Sequence, residues 1–150
     1  IRDRSPSRGL GDVYKRQHEA LPAIDILTLH CPLNPETTGL ISTRELEAMQ
    51  PSSILINTSR GGVVDEVALH AALTQQTIAA AGIDVFVTEP TQQKDPLLAL
   101  ENVILSPHCA GVTRESMSLT SRIAVQNVLS ALDGSIASKF VVNTDVLKRS

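Results

Sequence analysis

Residues 105–111, LSPHCAG, mark the most informative boundary in the chain. A short apolar strand over 102–105 runs into Ser106-Pro107, and proline ends a strand because it has no N–H to donate to a neighbouring strand. His108 follows immediately, and a histidine held at the end of a buried strand can meet a ligand there. Imidazole titrates near neutral pH, so His108 is a candidate proton donor or acceptor. Taken alone, a single histidine is more often an ordinary surface or core residue.

On the N-terminal side of this stretch, short apolar runs alternate with helical patterns. Ser42 or Thr43 can cap one helix and Asp65 can cap the next. With the strand over 102–105, the pattern predicts strands at 26–31, 53–57 and 79–85, and helices over 42–49 and after Asp65.

On the C-terminal side, a longer helix is predicted over 114–132 and ends at Gly134. A short extended segment is predicted at 139–143. The helix has apolar residues at the spacing of a buried face, namely Val125, Val128, Leu129 and Leu132.

Alternating strands and helices, with strands that are apolar on both faces, predict an α/β fold in which helices cover a parallel sheet. Ligands of such sheets bind beyond the carboxyl ends of the strands. The side chains expected to face one crevice there are His30, Cys31, Thr58, Ser59, Arg60, Asp84, Glu89 and His108. A phosphate-binding G-x-G-x-x-G turn does not occur in the sequence, and Gly61-Gly62 does not replace it.

Composition narrows the class of protein. The chain has 150 residues, of which 42% are hydrophobic, as in ordinary globular proteins. Its net charge is −3 and it has no basic stripe, which argues against nucleic acid as the main partner. No apolar run approaches the roughly 20 residues of a membrane span, so no membrane partner is expected. Cys31 and Cys109 form neither a metal-binding nor a disulfide pattern, so no metal site is expected. We therefore expect a reduced, cytoplasmic setting. Both cysteines are expected to be small packing residues, and the alternative is that both face the cleft.

Residues 1–17, IRDRSPSRGLGDVYKRQ, differ from the rest of the chain, because they are rich in Arg, Ser and Gly and lack any apolar period. The segment 12–17 resembles an in-frame translation of a sequencing-library adapter. We therefore expect 1–17 to be a non-native leader and exclude it from the fold. The alternative is a natural disordered leader.

Four charged residues at the predicted strand ends suit one reaction. Arg60 is a two-pronged donor for a carboxylate or a polarised carbonyl oxygen. A carboxylate such as Glu89 beside His108 favours the imidazolium, which can then give a proton to an oxygen that gains negative charge. Asp84 can accept from a carboxamide. The set is suited to reversible reduction of a 2-keto acid by a nicotinamide cofactor.

The sequence from about residue 18 to 146 resembles the D-isomer-specific 2-hydroxyacid dehydrogenase family, which includes glycerate, hydroxypyruvate, phosphoglycerate and sulfolactate enzymes. Four segments in the family's order carry the resemblance: DILTLHCPLNPETTGLI at 25–41, ILINTSRGGVVDEVALHAAL at 54–73, AGIDVFVTEP at 81–90 and NVILSPHCAG at 102–111. The resemblance implies the C-terminal part of a Rossmann-like doubly wound parallel sheet over 18–112. It also implies that 113–150, a long helix and tail, belong with a substrate domain that this sequence lacks.

The same resemblance implies the site. Arg60, Glu89 and His108 would be catalytic, with His108 as the acid or base. NAD would be the cofactor, with NADP not excluded, and the substrate a small 2-keto or 2-hydroxy acid in a homodimeric full-length protein. The cofactor would be lined by Cys31, Thr58, Ser59, Arg60, Asp84, His108, Cys109, Ala110 and Gly111.

The sequence departs from the family by lacking the first half of the nucleotide domain, so we expect no measurable activity and weak NAD binding from the 150 residues alone. The strand at 26–31 would form an open edge, which favours aggregation. A corepressor-like, NAD-binding interaction module of the same fold is the alternative function, since it would keep the same Arg, Glu and His. A formate dehydrogenase is a third, less favoured reading, because it is expected to carry glutamine at the position of Glu89.

Overall fold

The computed structural model describes residues 19–148, apart from the side chain of Lys148, so the predicted leader at 1–17 lies outside the described residues. The described chain forms two compact units, residues 19–110 and residues 111–148. The first unit contains the sheet and the second contains the longest helix.

The sheet of the first unit has four parallel strands, as predicted, and they pair in chain order. They are β1 (Ile26–Leu29), β2 (Ile54–Asn57), β3 (Ala80–Ile83) and β4 (Val103–Leu105). Each strand is shorter than the sequence pattern suggested. The last residues of the strands, Leu29, Asn57, Ile83 and Leu105, are register partners, so the carboxyl ends finish level with one another. Among residues 19–148, β1 pairs only with β2 and so forms an open edge of the sheet, as expected.

Two α-helices follow the first two strands. α1 (Thr43–Ala48) begins after Ser42, whose N–H donates to the Glu45 carboxylate at 3.1 Å. α2 (Glu66–Thr74) begins after Asp65, as predicted. Short 3₁₀ helices lie at Leu21–Ala23 and Pro96–Ala99.

The core of the first unit lies on one face of the sheet. Leu55 and Ile83 on that face pack with Leu46 of α1, Leu69 of α2 and Leu97 in one buried cluster. On the opposite face, Ile26 and Ile104 are 57% and 80% exposed. Among the described residues of the first unit, α1, α2 and the Pro96–Ala99 turn all contribute to the core on one face of the sheet.

The second unit consists of α3 (Arg114–Leu132) and two 3₁₀ helices, Ser138–Phe140 and Thr144–Lys148. α3 has the predicted bounds, and Gly134 follows it at a φ of +76°. No residue of α3 is buried. The apolar residues at the spacing of a buried face are all exposed, namely Val125, Val128, Leu129 and Leu132. The segment predicted as extended at 139–143 begins in a 3₁₀ turn instead. Over residues 19–148, no helix is both long enough and apolar enough to cross a membrane.

The Asp65 cap permits a stability test. Its carboxylate accepts the N–H groups of Val67 and Ala68 at 3.0 and 3.1 Å and the Ser42 hydroxyl at 3.0 Å. The Ala68 bond is the main reason why the pKa of Asp65 is lowered, against an opposing effect of burial. Asp65→Ala should lower the free energy of unfolding by about 1–2 kcal/mol in urea denaturation. Asp65→Asn, which keeps an acceptor oxygen, should lose less than half of that, and equal losses would contradict the capping role.

Candidate active site

His108 and Glu89 form a hydrogen-bonded pair beyond the carboxyl ends of β3 and β4. The Nδ1 of His108 lies 2.9 Å from the Oε2 of Glu89. Because a carboxylate only accepts, Nδ1 carries the proton in this bond. The side chains are 45% and 37% exposed, so the pair is open to solvent. The pair leaves Nε2 as the imidazole atom that can exchange a proton with a ligand.

Glu89 is fixed by its own loop. Its Oε1 accepts the N–H of Phe86 at 3.0 Å, which directs Oε2 towards the imidazole. The hydrogen bond from His108 is the largest cause of a lowered pKa at Glu89, and the Phe86 N–H adds to it. Glu89 is therefore a carboxylate at neutral pH, which is the form that can orient the Nδ1–H of His108.

Arg60 follows the end of β2 in a turn organised by the buried Asn57. The Asn57 carboxamide oxygen accepts both the N–H and the hydroxyl of Ser59, at 3.1 and 2.8 Å, and its NH₂ donates to the carbonyl of Arg60 at 3.1 Å. Asn57 is 2% exposed, whereas the Arg60 side chain is exposed. The guanidinium gives one donor to the Ser59 carbonyl at 2.6 Å, which leaves further donors available for a ligand.

Gly61 brings the Arg60 turn into backbone contact with the Glu89 loop. A Cβ added at Gly61 would lie 1.9 Å from the carbonyl oxygen of Phe86. Glu66 supports the same loop, because its carboxylate accepts the N–H of Val87 at 2.7 Å. Burial raises the pKa of Glu66, and the Val87 bond opposes that shift. The segments that carry Arg60 and Glu89 are thus in close contact through main-chain atoms.

Asp84 follows β3 and is almost fully buried, at 3% exposure. Its carboxylate accepts the Ser106 hydroxyl and the N–H groups of Cys109 and Ala110, at 2.5, 2.8 and 3.0 Å. The sequence predicts that Asp84 receives a carboxamide. The structure shows that this carboxylate is already engaged by the segment around His108.

A groove of about 350 Å³ lies at the ends of β1 and β2. Its walls are His30, Cys31, Pro32, Thr58, Ser59 and Arg60, all from the predicted ligand edge of the sheet. His30 is exposed, and its Nε2 lies 2.9 Å from the Thr28 hydroxyl. A larger apolar groove of about 490 Å³ lies along β1 and includes Leu21, Ile26 and Leu40. The lining of that groove is mostly apolar, so it offers few donors that could orient a charged ligand.

The structure groups the predicted site residues into two sets beyond neighbouring strands. One set is the groove with Arg60, and the other is the His108–Glu89 pair with Asp84. Cys31 is half-buried and packs against the core, but Cys109 is exposed, so the packing interpretation is wrong for Cys109. Ala110 is in the first unit and Gly111 is in the second, so the place of Gly111 in the site stays a prediction.

Sequence reasoning missed several residues that shape the site. Asn57, Glu66 and Ser106 hold the three loops that carry Arg60, Glu89 and His108. Asn57 had a signal in the sequence, since a polar residue ends an otherwise apolar strand. Ser106 and Glu66 had none, because their partners lie 22 and 21 residues away.

A level parallel sheet with a histidine–carboxylate pair and an arginine beyond its carboxyl ends has features that nucleotide-dependent α/β oxidoreductases share. A model of the D-isomer-specific 2-hydroxyacid dehydrogenase NAD-binding domain matches residues 3–110. The chain therefore belongs to the D-isomer-specific 2-hydroxyacid dehydrogenase family, and NAD is the cofactor of the matched domain. The match begins within the stretch that the sequence predicted to be a non-native leader.

Individual relatives agree with the family assignment. The chain is 40% identical over 148 residues to a glyoxylate reductase of Korarchaeum cryptofilum, covering 99% of this chain and 44% of the relative. It is 47% identical over 124 residues to glyoxylate/hydroxypyruvate reductase B of Pectobacterium atrosepticum, covering 83% and 38%. A crystal structure of the NAD-complexed D-isomer-specific 2-hydroxyacid dehydrogenase from Lactobacillus delbrueckii ssp. bulgaricus superposes with a TM-score of 0.72 and 30% identity, covering 80% and 40%. The chain thus spans less than half the length of these relatives.

Proposed function

We propose that the protein carrying this chain reduces a small 2-keto acid to a 2-hydroxy acid with NADH, and runs the reverse reaction with NAD. The observation that carries the proposal is the 2.9 Å hydrogen bond between His108 Nδ1 and Glu89 Oε2 beyond the strand ends. Such a pair supplies what the reaction needs from the protein, namely a group that gives or takes one proton at an oxygen.

Each of the three charged residues has a role in this proposal. Arg60 binds the substrate carboxylate and polarises the keto oxygen with its remaining donors. His108, as the imidazolium, gives its Nε2 proton to that oxygen while the C=O bond becomes a C–OH bond. Glu89 accepts from Nδ1–H and so keeps that nitrogen protonated, which leaves Nε2 as the atom that gives the proton. When bound, NADH supplies the hydride that adds to the carbonyl carbon.

The residues present fit the nicotinamide end of the cofactor. The groove beyond β1 and β2 has a volume of about 350 Å³ and lies where dinucleotide-binding sheets receive ligands. We propose that Cys31, Thr58, Ser59 and Arg60 line the cofactor from this side. Asp84, His108, Cys109, Ala110 and Gly111 would line it beyond β3 and β4.

The wider properties of the protein follow from the same proposal. Two similar proteins are named for glyoxylate or glyoxylate and hydroxypyruvate, so small unbranched 2-keto acids are the first substrates to test. We further propose a homodimer in the cytoplasm, for which the two free cysteines are suitable. In domain terms, 18–112 would be the C-terminal half of the NAD-binding domain, and 113–150 would return to a substrate domain.

A turnover assay on the full-length protein tests the function. NADH oxidation is followed with glyoxylate, hydroxypyruvate and pyruvate, for the wild type and for Arg60→Lys. Lysine keeps the charge but not the planar fork, so Arg60→Lys should lower kcat/KM for the keto acid about 100-fold while the NADH Kd changes much less. Glu101→Gln, a charge change on an exposed residue before β4, is the matched control and should keep wild-type kinetics. Absence of NADH oxidation with every keto acid would overturn the proposal.

A further inference from the structure

The Asp84 carboxylate is surrounded by donors from a single segment. Ser106 Oγ and the N–H of Cys109 donate to Oδ1, and the N–H of Ala110 donates to Oδ2. The main chain adds a fourth link, because the N–H of His108 donates to the carbonyl oxygen of Asp84 at 2.8 Å. Asp84 therefore forms four hydrogen bonds with the segment 106–110. Their donors are Ser106, His108, Cys109 and Ala110.

The backbone of His108 needs such support. Its φ is +54°, in the left-handed region that non-glycine residues rarely adopt. A residue in that region costs free energy and persists only where its surroundings determine it. The two N–H groups that follow His108 both turn inward to the Asp84 carboxylate. The turn around this carboxylate leaves the imidazole outside, where Nδ1 meets Glu89.

The Asp84 side chain is ionised at neutral pH, which is the form that accepts these hydrogen bonds. Burial opposes ionisation of Asp84, but the bonds from Ser106, Ala110 and Cys109 outweigh it and keep the pKa below the ordinary value. The carboxylate is therefore charged at neutral pH and accepts from all three donors. Its hydrogen bonds weaken only when the pH falls through that lowered pKa.

We propose that Asp84 is a positioning residue for His108: its carboxylate fixes the left-handed turn over 106–110, so that the imidazole faces Glu89. The inference rests on the proposed function and goes beyond it, because it gives the Asp84 carboxylate a role in orienting the proton-transfer residue, in addition to its proposed place beside the cofactor. The two assignments differ in what a substitution changes. A positioning residue acts on turnover, whereas a carboxamide ligand acts on cofactor affinity.

Asp84→Asn in the full-length protein separates the two assignments. Asparagine keeps the shape of the side chain, but its NH₂ group would face an N–H donor. We expect kcat at saturating NADH and glyoxylate to fall about 30-fold or more. We expect the NADH Kd to change by less than about threefold. Asp133→Asn is the matched control, because Asp133 also accepts a serine N–H and hydroxyl, those of Ser135, and it should keep wild-type kinetics.

Proton NMR gives a readout that needs neither cofactor nor substrate. The Nδ1 proton of His108, shared with Glu89, should give a downfield resonance in the wild type that Glu89→Gln identifies. Asp84→Asn should remove that resonance. A wild type that reduces no keto acid would overturn the proposed function but leave this arm of the test intact. An unchanged resonance together with an unchanged kcat, or a loss confined to the NADH Kd, would overturn the positioning role.

A second variant covers the case in which Asp84→Asn does not fold. Ser106→Ala removes one of the three donors and leaves both backbone bonds to the carboxylate. It should shift the His108 resonance and lower kcat about three- to tenfold, again with little change in the NADH Kd. A Ser106→Ala protein with a wild-type resonance and a wild-type kcat would overturn the inference.

Discussion

Replacing His108 with asparagine is expected to lower kcat for 2-keto acid reduction about 1,000-fold, because general acid–base groups contribute roughly 10²–10⁴-fold. Asparagine is chosen since, after glycine, it is among the residues that best tolerate the φ of +54° found at this position. The backbone turn and its bonds to Asp84 can then survive while the proton donor is lost. Single-turnover measurement of NADH oxidation, with the NADH Kd determined separately, isolates the chemical step.

Glu89→Gln is the companion variant for His108→Asn. Glutamine keeps the size of the side chain and removes the carboxylate that accepts from Nδ1–H, so kcat should fall less, about 10- to 100-fold. In the wild type, the pKa of Glu89 is lowered by its hydrogen bond with His108. As the pH falls, the Glu89 carboxylate is therefore protonated only below the ordinary pKa of a glutamate. A His108→Asn protein that turns over within tenfold of the wild type would contradict the assignment of the acid.

The second large effect is expected at Gly61. A Cβ at this position would lie 1.9 Å from the Phe86 carbonyl oxygen and 2.6 Å from the Val87 nitrogen. Both are main-chain atoms, so relief requires one of two loops to move. Gly61→Ala should lower the free energy of unfolding by about 3 kcal/mol, at the upper end of the range for overpacking. In the full-length protein it should also reduce turnover, since Arg60 and Glu89 would be displaced from each other.

Gly82→Ala provides the matched control for Gly61→Ala. Gly82 lies in β3, and an added Cβ would meet only the Ile56 side chain at 3.9 Å, an ordinary contact. The free energy of unfolding should therefore stay within about 0.5 kcal/mol of the wild type. Urea denaturation of both variants makes the comparison. Equal stability of the two alanine variants would contradict the close approach at Gly61.

Local patterns predicted the elements of this fold well. The helix over 114–132 follows from its apolar period and its flanking residues, and the structure gives it those bounds. The parallel direction of the strands follows from the alternation of strands and helices. Asp65 caps α2, as predicted. These features depend on a few neighbouring residues, which a sequence displays directly.

Features that depend on distant partners were not predictable in the same way. Ile104 and Leu129 have the apolar character of buried positions, yet both are exposed, because burial needs a second surface that a periodic pattern does not describe. Asp84 was placed at the right edge of the sheet, but its bonds to Ser106 and Ala110 span 22 and 26 residues. The sequence thus located the charged groups, while the hydrogen bonds that orient them required the structure.

The strand order has a consequence for cofactor recognition. In open parallel sheets, dinucleotides lie across a topological switch point, where the strand order reverses direction. Among residues 19–148 the order β1-β2-β3-β4 never reverses, so the described strands provide only one flank of such a point. The free edge of β1 is where a reversal would arise. Under the proposed function, the described strands would therefore contact the nicotinamide end of the dinucleotide from one side of such a switch point.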